Sequence, residues 1–125
     1  LIAGGKSFGG RMTSQAQAAQ PMDGVRGLVF LGFPLHPPKQ PSDSRGHHLS
    51  QVQIPMLFLQ GARDAYAELS QIEPLVKRLG GRAALCILED ADHSFRVPAR
   101  GLLTGGQIND KMLDTLAAWV DALTA

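Results

Sequence analysis

Short apolar runs recur along the chain and are separated by polar segments rich in glycine and proline. The runs cover residues 1–3, 27–33, 55–60 and 83–88. Unbroken apolar runs of this length are typical of strands that are covered on both faces of a sheet. The pattern therefore predicts four short, largely buried strands.

Segments with helical character alternate with these strands. An Ala-rich segment predicts a helix over residues 12–20. A second helix is expected to start at Ser70, the N-cap of a capping box with Glu73, and to end at the glycines of residues 80–81. A third is expected to begin near Asn109, with its apolar face made of Met112, Leu113, Leu116, Val120 and Leu123 and with Trp119 beside it. This alternation predicts an α/β fold, a mostly parallel sheet flanked by helices.

The composition changes over residues 35–50, which contain several prolines and three histidines, His36, His47 and His48. Long segments of this kind commonly form the walls of binding sites. Metal binding by the histidines is an alternative, but the segment lacks a carboxylate or a cysteine at a spacing typical of metal ligands. We therefore interpret it as a Pro-stiffened loop and predict neither a metal nor an organic cofactor.

Length and charge restrict the classes of function. A chain of 125 residues with 12 Lys and Arg against 11 Asp and Glu forms at most one domain and carries no basic surface typical of nucleic-acid binding. Its apolar runs are too short to span a membrane. The single cysteine, Cys86, lies in an apolar run and is interpreted as a small core residue, which excludes a disulfide framework and favours a cytoplasmic or otherwise intracellular protein.

A serine between glycines follows the first apolar run. The segment Gly5-Lys6-Ser7-Phe8-Gly9 matches G-x-S-x-G, in which the serine occupies a sharp, strained turn from strand to helix. Gly5-Lys6-Ser7 also matches the end of a P-loop, which would indicate nucleotide binding. That alternative is disfavoured because residues 1–3 resemble a strand and because Gly9 and Gly10 would weaken the helix that must follow a P-loop.

Polar residues follow three of the predicted strands. Ser7 comes after the first strand, Asp64 after the third and His93 after the fourth. The carboxyl ends of parallel strands lie at one edge of a sheet, where reactive groups gather. A serine becomes nucleophilic when a histidine accepts its proton and a carboxylate orients that histidine. The residues therefore predict Ser7 as nucleophile, Asp64 as acid and His93 as base, with Asp90 and Asp92 as alternative acids.

Four sequence blocks carry a resemblance to a known family. They are Gly4-Gly5-Lys6-Ser7-Phe8-Gly9-Gly10-Arg11, Gly32-Phe33-Pro34-Leu35-His36-Pro37-Pro38, Gln60-Gly61-Ala62-Arg63-Asp64 and Asp90-Ala91-Asp92-His93-Ser94-Phe95. With these blocks the chain resembles the C-terminal half of a small α/β-hydrolase of the dienelactone-hydrolase-like type. More narrowly, it is similar to a group that includes a subunit of the non-specific lethal histone acetyltransferase complex.

The resemblance implies a single domain over residues 1–125 that lacks its N-terminal strands, and a serine hydrolase of the esterase type acting on a small acyl substrate. It implies the backbone N–H of Phe8 as one oxyanion-hole donor, while the second donor would come from a loop after an absent earlier strand. The loop after the second strand is expected to shape the substrate pocket, whose expected residues are Lys6, Pro34, Leu35 and His36.

Two further expectations follow from the missing strands. The chain alone is expected to be feeble or inactive, because the loss of one oxyanion donor costs about 10² to 10³ in rate. The open edge beside the first strand is expected to pair with a companion segment or with a second copy of the chain. A catalytically silent interaction scaffold is the alternative function, since a fold does not determine its function.

Overall fold

The computed structural model describes residues 1–99, 101 and 104–124. The strands within this part are β1 (Ile2–Lys6), β2 (Gly27–Leu31), β3 (Met56–Gly61) and β4 (Ala83–Leu88). The α-helices are α1 (Phe8–Ala19), α2 (Leu69–Leu79) and α3 (Gly105–Thr124), and 3-10 helices span Ser44–Gln51 and Gly80–Arg82. None of the helices described is long and apolar enough to cross a membrane.

The strands form one sheet in the order β1-β2-β3-β4, and every neighbouring pair is parallel. Each strand therefore pairs with its neighbours in the sequence. An α-helix connects one strand to the next in two of the three connections, and the Ser44–Gln51 3-10 helix lies in the third. This arrangement confirms the predicted parallel sheet flanked by helices. It also brings the carboxyl ends of all four strands to one edge.

Alternating strand residues bury two faces of the sheet. One face packs against α1, α2 and the Ser44–Gln51 3-10 helix, and its buried residues include Leu28, Phe30, Met56, Phe58, Leu49, Ile72 and Leu75. The other face packs against α3, where Val29, Leu57 and Leu59 contact Met112, Leu116 and Trp119. Full burial of one such side chain contributes about 1.5–3 kcal/mol, so both layers stabilise the strands that carry the polar residues at the sheet edge.

Helix α1 begins at Phe8, directly after Ser7, and the predicted start at residue 12 is wrong. Of the two glycines in the first turn of α1, Gly10 is required by close packing, whereas a Cβ at Gly9 would meet nothing within 4 Å. A Cβ on Gly10 would lie 2.6 Å from the carbonyl oxygen of Gly5, and a Cβ on Gly5 would lie 2.7 Å from the backbone nitrogen of Gly10. The strand end and the helix start therefore approach more closely than any other residue type allows.

The predicted capping box of α2 is wrong. The N-cap is Glu68, which makes no side-chain capping bond, and the helix begins at Leu69. A capping box exists instead at α3, where Gln107 N–H donates to Thr104 Oγ1 at 3.1 Å and Thr104 N–H donates to Gln107 Oε1 at 2.7 Å. Helix α3 therefore begins at Gly105, earlier than predicted.

The predicted apolar face of α3 is correct except at one position. Leu113 is 63% exposed. The long loop also differs from the expectation. Strand β2 ends at Leu31, and the second half of the loop forms the Ser44–Gln51 3-10 helix against α1 and α2.

Candidate active site

Ser7 connects β1 to α1 in a conformation that side-chain-bearing residues rarely adopt, with φ 51° and ψ −122°. Its backbone N–H donates to the carbonyl of Leu31 at 2.9 Å, which anchors the turn to the neighbouring strand. Strained conformations of this type cost about 1–3 kcal/mol and persist where the surrounding structure imposes them. The close approach of Gly5 and Gly10 imposes it here.

The three polar residues predicted from the strand ends form a continuous hydrogen-bonded chain. Ser7 Oγ lies 2.7 Å from His93 Nε2, and His93 Nδ1 lies 2.8 Å from Asp64 Oδ2. The carboxylate can only accept, so Nδ1–H donates to Asp64 and Nε2 is left to accept the proton of the Ser7 hydroxyl. This is the tautomer in which imidazole can act as a base towards the serine.

Asp64 is held rigidly within this chain. The residue is 2% exposed, and its second carboxylate oxygen accepts a hydrogen bond from the Tyr66 N–H at 2.7 Å. Both carboxylate oxygens are therefore occupied, one by the backbone of its own turn and one by the histidine.

The loop that carries His93 is joined to the Asp64 loop through the backbone. Arg63 N–H donates to the Ala91 carbonyl at 2.8 Å, and a Cβ on Gly61 would clash with the same oxygen. The ring of Tyr66 lies against the ring of His93, with centroids 4.5 Å apart. These contacts fix the imidazole relative to Asp64.

The two alternative acids have other neighbours. Asp92 Oδ1 accepts the N–H groups of Ser94 and Arg96, both at 2.9 Å, and so stabilises the turn after β4. Asp90 has a positive φ of 63° and lies at the start of that turn. The carboxylate that contacts His93 is that of Asp64.

Phe8 is the first residue of α1, so its backbone N–H has no acceptor within the helix. Its position directly after Ser7 is the one predicted for an oxyanion donor. Its side chain is 63% exposed, and the helix N-terminus adds positive potential beside the serine hydroxyl.

An open cavity of about 590 Å³ is lined in part by Lys6, which precedes Ser7 and is one of the expected pocket residues. The other lining residues are Leu31, Ser94, Phe95, Arg96, Val97, Gly105, Asn109 and Met112. Most of them belong to the segment after β4 and to α3. None of these residues was predicted to line a pocket, because no local pattern in the sequence shows which face of the sheet remains open.

The other expected pocket residues lie in the interior. Pro34 is buried, and Leu35 and His36 are fully buried. His36 Nδ1 lies 2.8 Å from the carbonyl of Pro37, and His36 Nε2 accepts the Glu68 N–H at 3.0 Å. The expectation that these three residues line the cavity is corrected by this placement, since their side chains fill the core and join the loop after β2 to the start of α2.

The remaining histidines do not converge on one point. His47 pairs with Asp43 at 3.1 Å on the surface, and His48 Nε2 lies 2.6 Å from Ser14 Oγ. Within residues 1–99, 101 and 104–124, no group of three or more His, Cys, Asp or Glu residues is arranged to hold a metal ion. Cys86 is a partly buried free thiol on β4.

Gly32, to which no role was assigned from the sequence, is a further residue of the site. It follows β2 at the same sheet edge and has a φ of +72°, and its α-carbon faces the carbonyl and the ring of His93. A glycine inside the predicted strand of residues 27–33 was the available signal, because glycine within a strand pattern often marks a close approach of another backbone.

The sequence matches the alpha/beta hydrolase domain family over residues 1–121. Solved structures with the same fold include an alpha-beta serine hydrolase homologue from Coxiella burnetii, which is 19% identical with a TM-score of 0.63 over 88% of this chain and 44% of that chain. A monoacylglycerol lipase from Paleococcus ferrophilus is 12% identical with a TM-score of 0.70, over 98% of this chain and 68% of that one.

A dienelactone hydrolase-like promiscuous phosphotriesterase from metagenomic libraries is 18% identical with a TM-score of 0.67. The match covers 98% of this chain and 52% of that chain. The chain thus spans about half the length of several structures that it resembles. At these identities the likeness concerns the fold.

Proposed function

We propose that this chain, which belongs to the alpha/beta hydrolase domain family, carries the nucleophile, base and acid of a serine hydrolase that cleaves an ester, thioester or related acyl bond. One observation carries the proposal, namely the unbroken chain of hydrogen bonds from Ser7 through His93 to Asp64 at 2.7 and 2.8 Å. Three groups from three strand ends meet in the order and tautomer that nucleophilic acyl transfer requires.

The reaction follows from the positions of the protons. His93 Nε2 accepts the Ser7 proton while Ser7 Oγ forms a bond to the acyl carbon. The imidazolium then gives this proton to the departing alcohol or thiol, whose bond to the acyl carbon breaks and leaves an acyl-enzyme. A water molecule repeats the attack, with His93 taking its proton, and the proton returns to Ser7 Oγ as the acid departs.

Asp64 acts as the positioning carboxylate in this scheme. Its buried negative charge holds the Nδ1 proton and stabilises the imidazolium that forms during attack. The bond from the Tyr66 N–H keeps the carboxylate oriented towards His93.

The Phe8 N–H supplies one donor to the oxyanion that develops on the acyl oxygen. The family resemblance implies a second donor outside this chain, in a longer protein. We therefore propose that the 125-residue chain by itself reacts about 10² to 10³ times more slowly than a protein that has both oxyanion donors.

The substrate proposed is a small acyl compound that occupies the cavity beside Lys6, and no cofactor enters the scheme. An intracellular location and the narrower relationship to the histone acetyltransferase subunit remain predictions from the sequence.

Covalent labelling by a fluorophosphonate, read by intact mass, tests the proposal. We expect one adduct on the wild-type chain and none on Ser7→Ala or His93→Ala. Ser70→Ala and His47→Ala are the matched controls, because Ser70 and His47 are exposed and lie outside the hydrogen-bonded chain. Both controls should label as the wild type does.

A second protein, extended upstream of residue 1, distinguishes slow labelling from a complete lack of reactivity at Ser7. Faster labelling of the longer protein supports the proposal and assigns the difference to the second donor. If neither protein is labelled, the proposed hydrolase activity is overturned and the interaction scaffold is favoured. If neither protein is labelled but ATP raises their melting temperature, nucleotide binding at Gly5-Lys6-Ser7 is favoured instead.

A further inference from the structure

The segment after β2 is bonded to the loop after β3, residues 62–68, which we call the Asp64 loop. The backbone N–H groups of Leu35 and His36 both donate to the Tyr66 carbonyl, at 2.7 and 3.0 Å. Strands β2 and β3 are parallel neighbours, so the two segments leave the sheet at the same edge. The segment after β2 therefore supports the loop that supplies the acid of the proposed reaction.

The side chain of His36 makes a further connection at the far end of the Asp64 loop. Its Nε2 lies 3.0 Å from the backbone nitrogen of Glu68, and its Nδ1 lies 2.8 Å from the carbonyl oxygen of Pro37. A carbonyl can only accept, so Nδ1–H donates to Pro37 and Nε2 accepts the Glu68 N–H. The ring is fully buried, and both of its nitrogens have partners in this neutral form.

Glu68 is the point at which the Asp64 loop becomes helix α2. It is the N-cap residue, and its own side chain makes no capping bond. Its carbonyl accepts the N–H groups of Gln71 and Ile72, at 2.8 and 3.0 Å, and so belongs to the first turn of the helix. The bond from His36 therefore holds the end of the loop and the start of α2 together.

The near end of the Asp64 loop is held by backbone hydrogen bonds to β4 and to the turn after it. Between the two held ends lie the two residues that contact the His93 ring. Asp64 Oδ2 accepts the Nδ1–H of His93 at 2.8 Å, and the Tyr66 ring lies with its centroid 4.5 Å from that of the imidazole. A shift at either end of the loop would therefore reach the groups that orient His93.

We infer that His36 is a positioning residue of the site, which holds the far end of the Asp64 loop so that Asp64 keeps its place against His93. Its bonds go to the backbone of Tyr66 and Glu68, so its influence on the reaction is indirect. A misplacement of about 1 Å in a reacting group lowers rates by about 10². The effect of His36 on the rate rests on the proposed hydrolase function, whereas its effect on the bond between Asp64 and His93 does not.

Two amides of different length separate the bond to the loop from the burial of a polar group. In His36→Gln the longer side chain brings its carbonyl oxygen to the position of Nε2, where it can accept the Glu68 N–H. In His36→Asn the shorter side chain reaches the position of Nδ1 and leaves that N–H without an acceptor. Val52→Ala is the control for lost stability, because Val52 is a fully buried core residue outside both segments.

The first readout is NMR at mildly alkaline pH, which does not require a reactive serine. The ¹⁵N shifts of the His93 ring show which nitrogen carries the proton, and slow hydrogen exchange at the Glu68 N–H reports the bond from His36. We expect the Nδ1–H form of His93 in the wild type, in His36→Gln and in Val52→Ala. His36→Asn should lose the protection at Glu68 and populate the Nε2–H form of His93.

The second readout is the rate of fluorophosphonate labelling at Ser7. His36→Asn should lower this rate by about 10-fold to 100-fold, the order expected for a displaced reacting group. His36→Gln and Val52→Ala should label as the wild type does.

The two readouts distinguish failure of the inference from failure of the proposed function. If the wild type labels and His36→Asn keeps both the rate and the Nδ1–H form of His93, the positioning role is overturned and the hydrolase proposal stands. If no protein labels but His36→Asn alone loses the Nδ1–H form, the positioning role is supported and the hydrolase proposal fails.

Two further results would overturn the positioning role. Equal losses in His36→Asn and Val52→Ala would assign the effect to stability alone. A wild-type Glu68 N–H that exchanges as fast as an exposed backbone amide would show that the bond from His36 is absent. This last measurement needs no variant, so it decides the question even if His36→Asn does not fold.

Discussion

Gly32 lies directly against His93. A Cβ at Gly32 would lie 3.1 Å from the His93 carbonyl oxygen and 3.4 Å from the Nδ1 and Cε1 atoms of its ring. The residue also has a φ of +72°, which only glycine adopts without strain. The position of the His93 imidazole therefore depends on the absence of a side chain at residue 32, directly after β2.

Replacing Gly32 should affect the site more than it affects the fold. Gly24 offers a matched control, because its φ is +78° and a Cβ there would meet nothing within 4 Å. We expect Gly32→Ala and Gly24→Ala to cost a similar backbone strain of about 1–2 kcal/mol, measured by urea unfolding. Only Gly32→Ala should slow fluorophosphonate labelling, by about 10² for a displacement near 1 Å. Equal labelling of the two variants would contradict this.

Asp64→Asn should lower the labelling rate by about 10⁴, the order expected when the histidine loses its correct tautomer. The Asn carbonyl can still accept the Tyr66 N–H, so the fold should be retained, as circular dichroism would show. Asp90→Asn is the comparison, because the Asp90 carboxylate forms no hydrogen bond to His93 in the described structure. An unchanged rate for Asp64→Asn would transfer the role of acid to Asp90 or Asp92.

The backbone strain at Ser7 should be measurable as a difference in the free energy of unfolding between variants. Its φ of 51° and ψ of −122° cost a residue with a Cβ more than they cost glycine. We expect Ser7→Gly to unfold with a free energy about 1–2 kcal/mol higher than Ser7→Ala, in thermal or urea denaturation. A Ser7→Ala protein as stable as Ser7→Gly would show that the turn is unstrained.

The stability of the protein should depend on pH through His48. Burial and the charge of Arg11 lower its pKa in the folded state, while the unfolded value is about 6.5. Below pH 6.5 the unfolded chain binds the proton more readily, so the free energy of unfolding should fall as the pH drops towards the folded pKa. His48→Gln, whose amide can still donate to Ser14, should show a smaller fall. Identical curves for the two proteins would contradict this.

The sequence was sufficient to predict the strands and the grouping of Ser7, Asp64 and His93 at one edge of the sheet. Buried parallel strands are long apolar runs, and a parallel sheet brings their carboxyl ends together irrespective of side-chain detail. Helix starts were harder to predict. The glycines after Ser7 lower helix propensity, and only the close approach of Gly5 to Gly10 explains why α1 begins there.

The expected pocket shows a second limit of prediction from the sequence. A Pro- and His-rich loop suggested a solvent-exposed wall, but His36 is fully buried and both of its ring nitrogens have backbone partners. Polarity alone does not distinguish an exposed histidine from one that satisfies a buried backbone N–H. The cavity forms at the segment after β4 and at α3 because tertiary packing leaves that face open.

The sequential strand order has a consequence for the moment at which the site is assembled. Each strand can pair with its predecessor as soon as it emerges during synthesis, whereas the Ser7–His93 hydrogen bond joins residues 86 positions apart. A nascent chain therefore presents its serine without the imidazole until the fourth strand has joined the sheet. Reactivity at Ser7 would then report that all four described strands have joined the sheet, and chains that end before His93 would remain chemically inert.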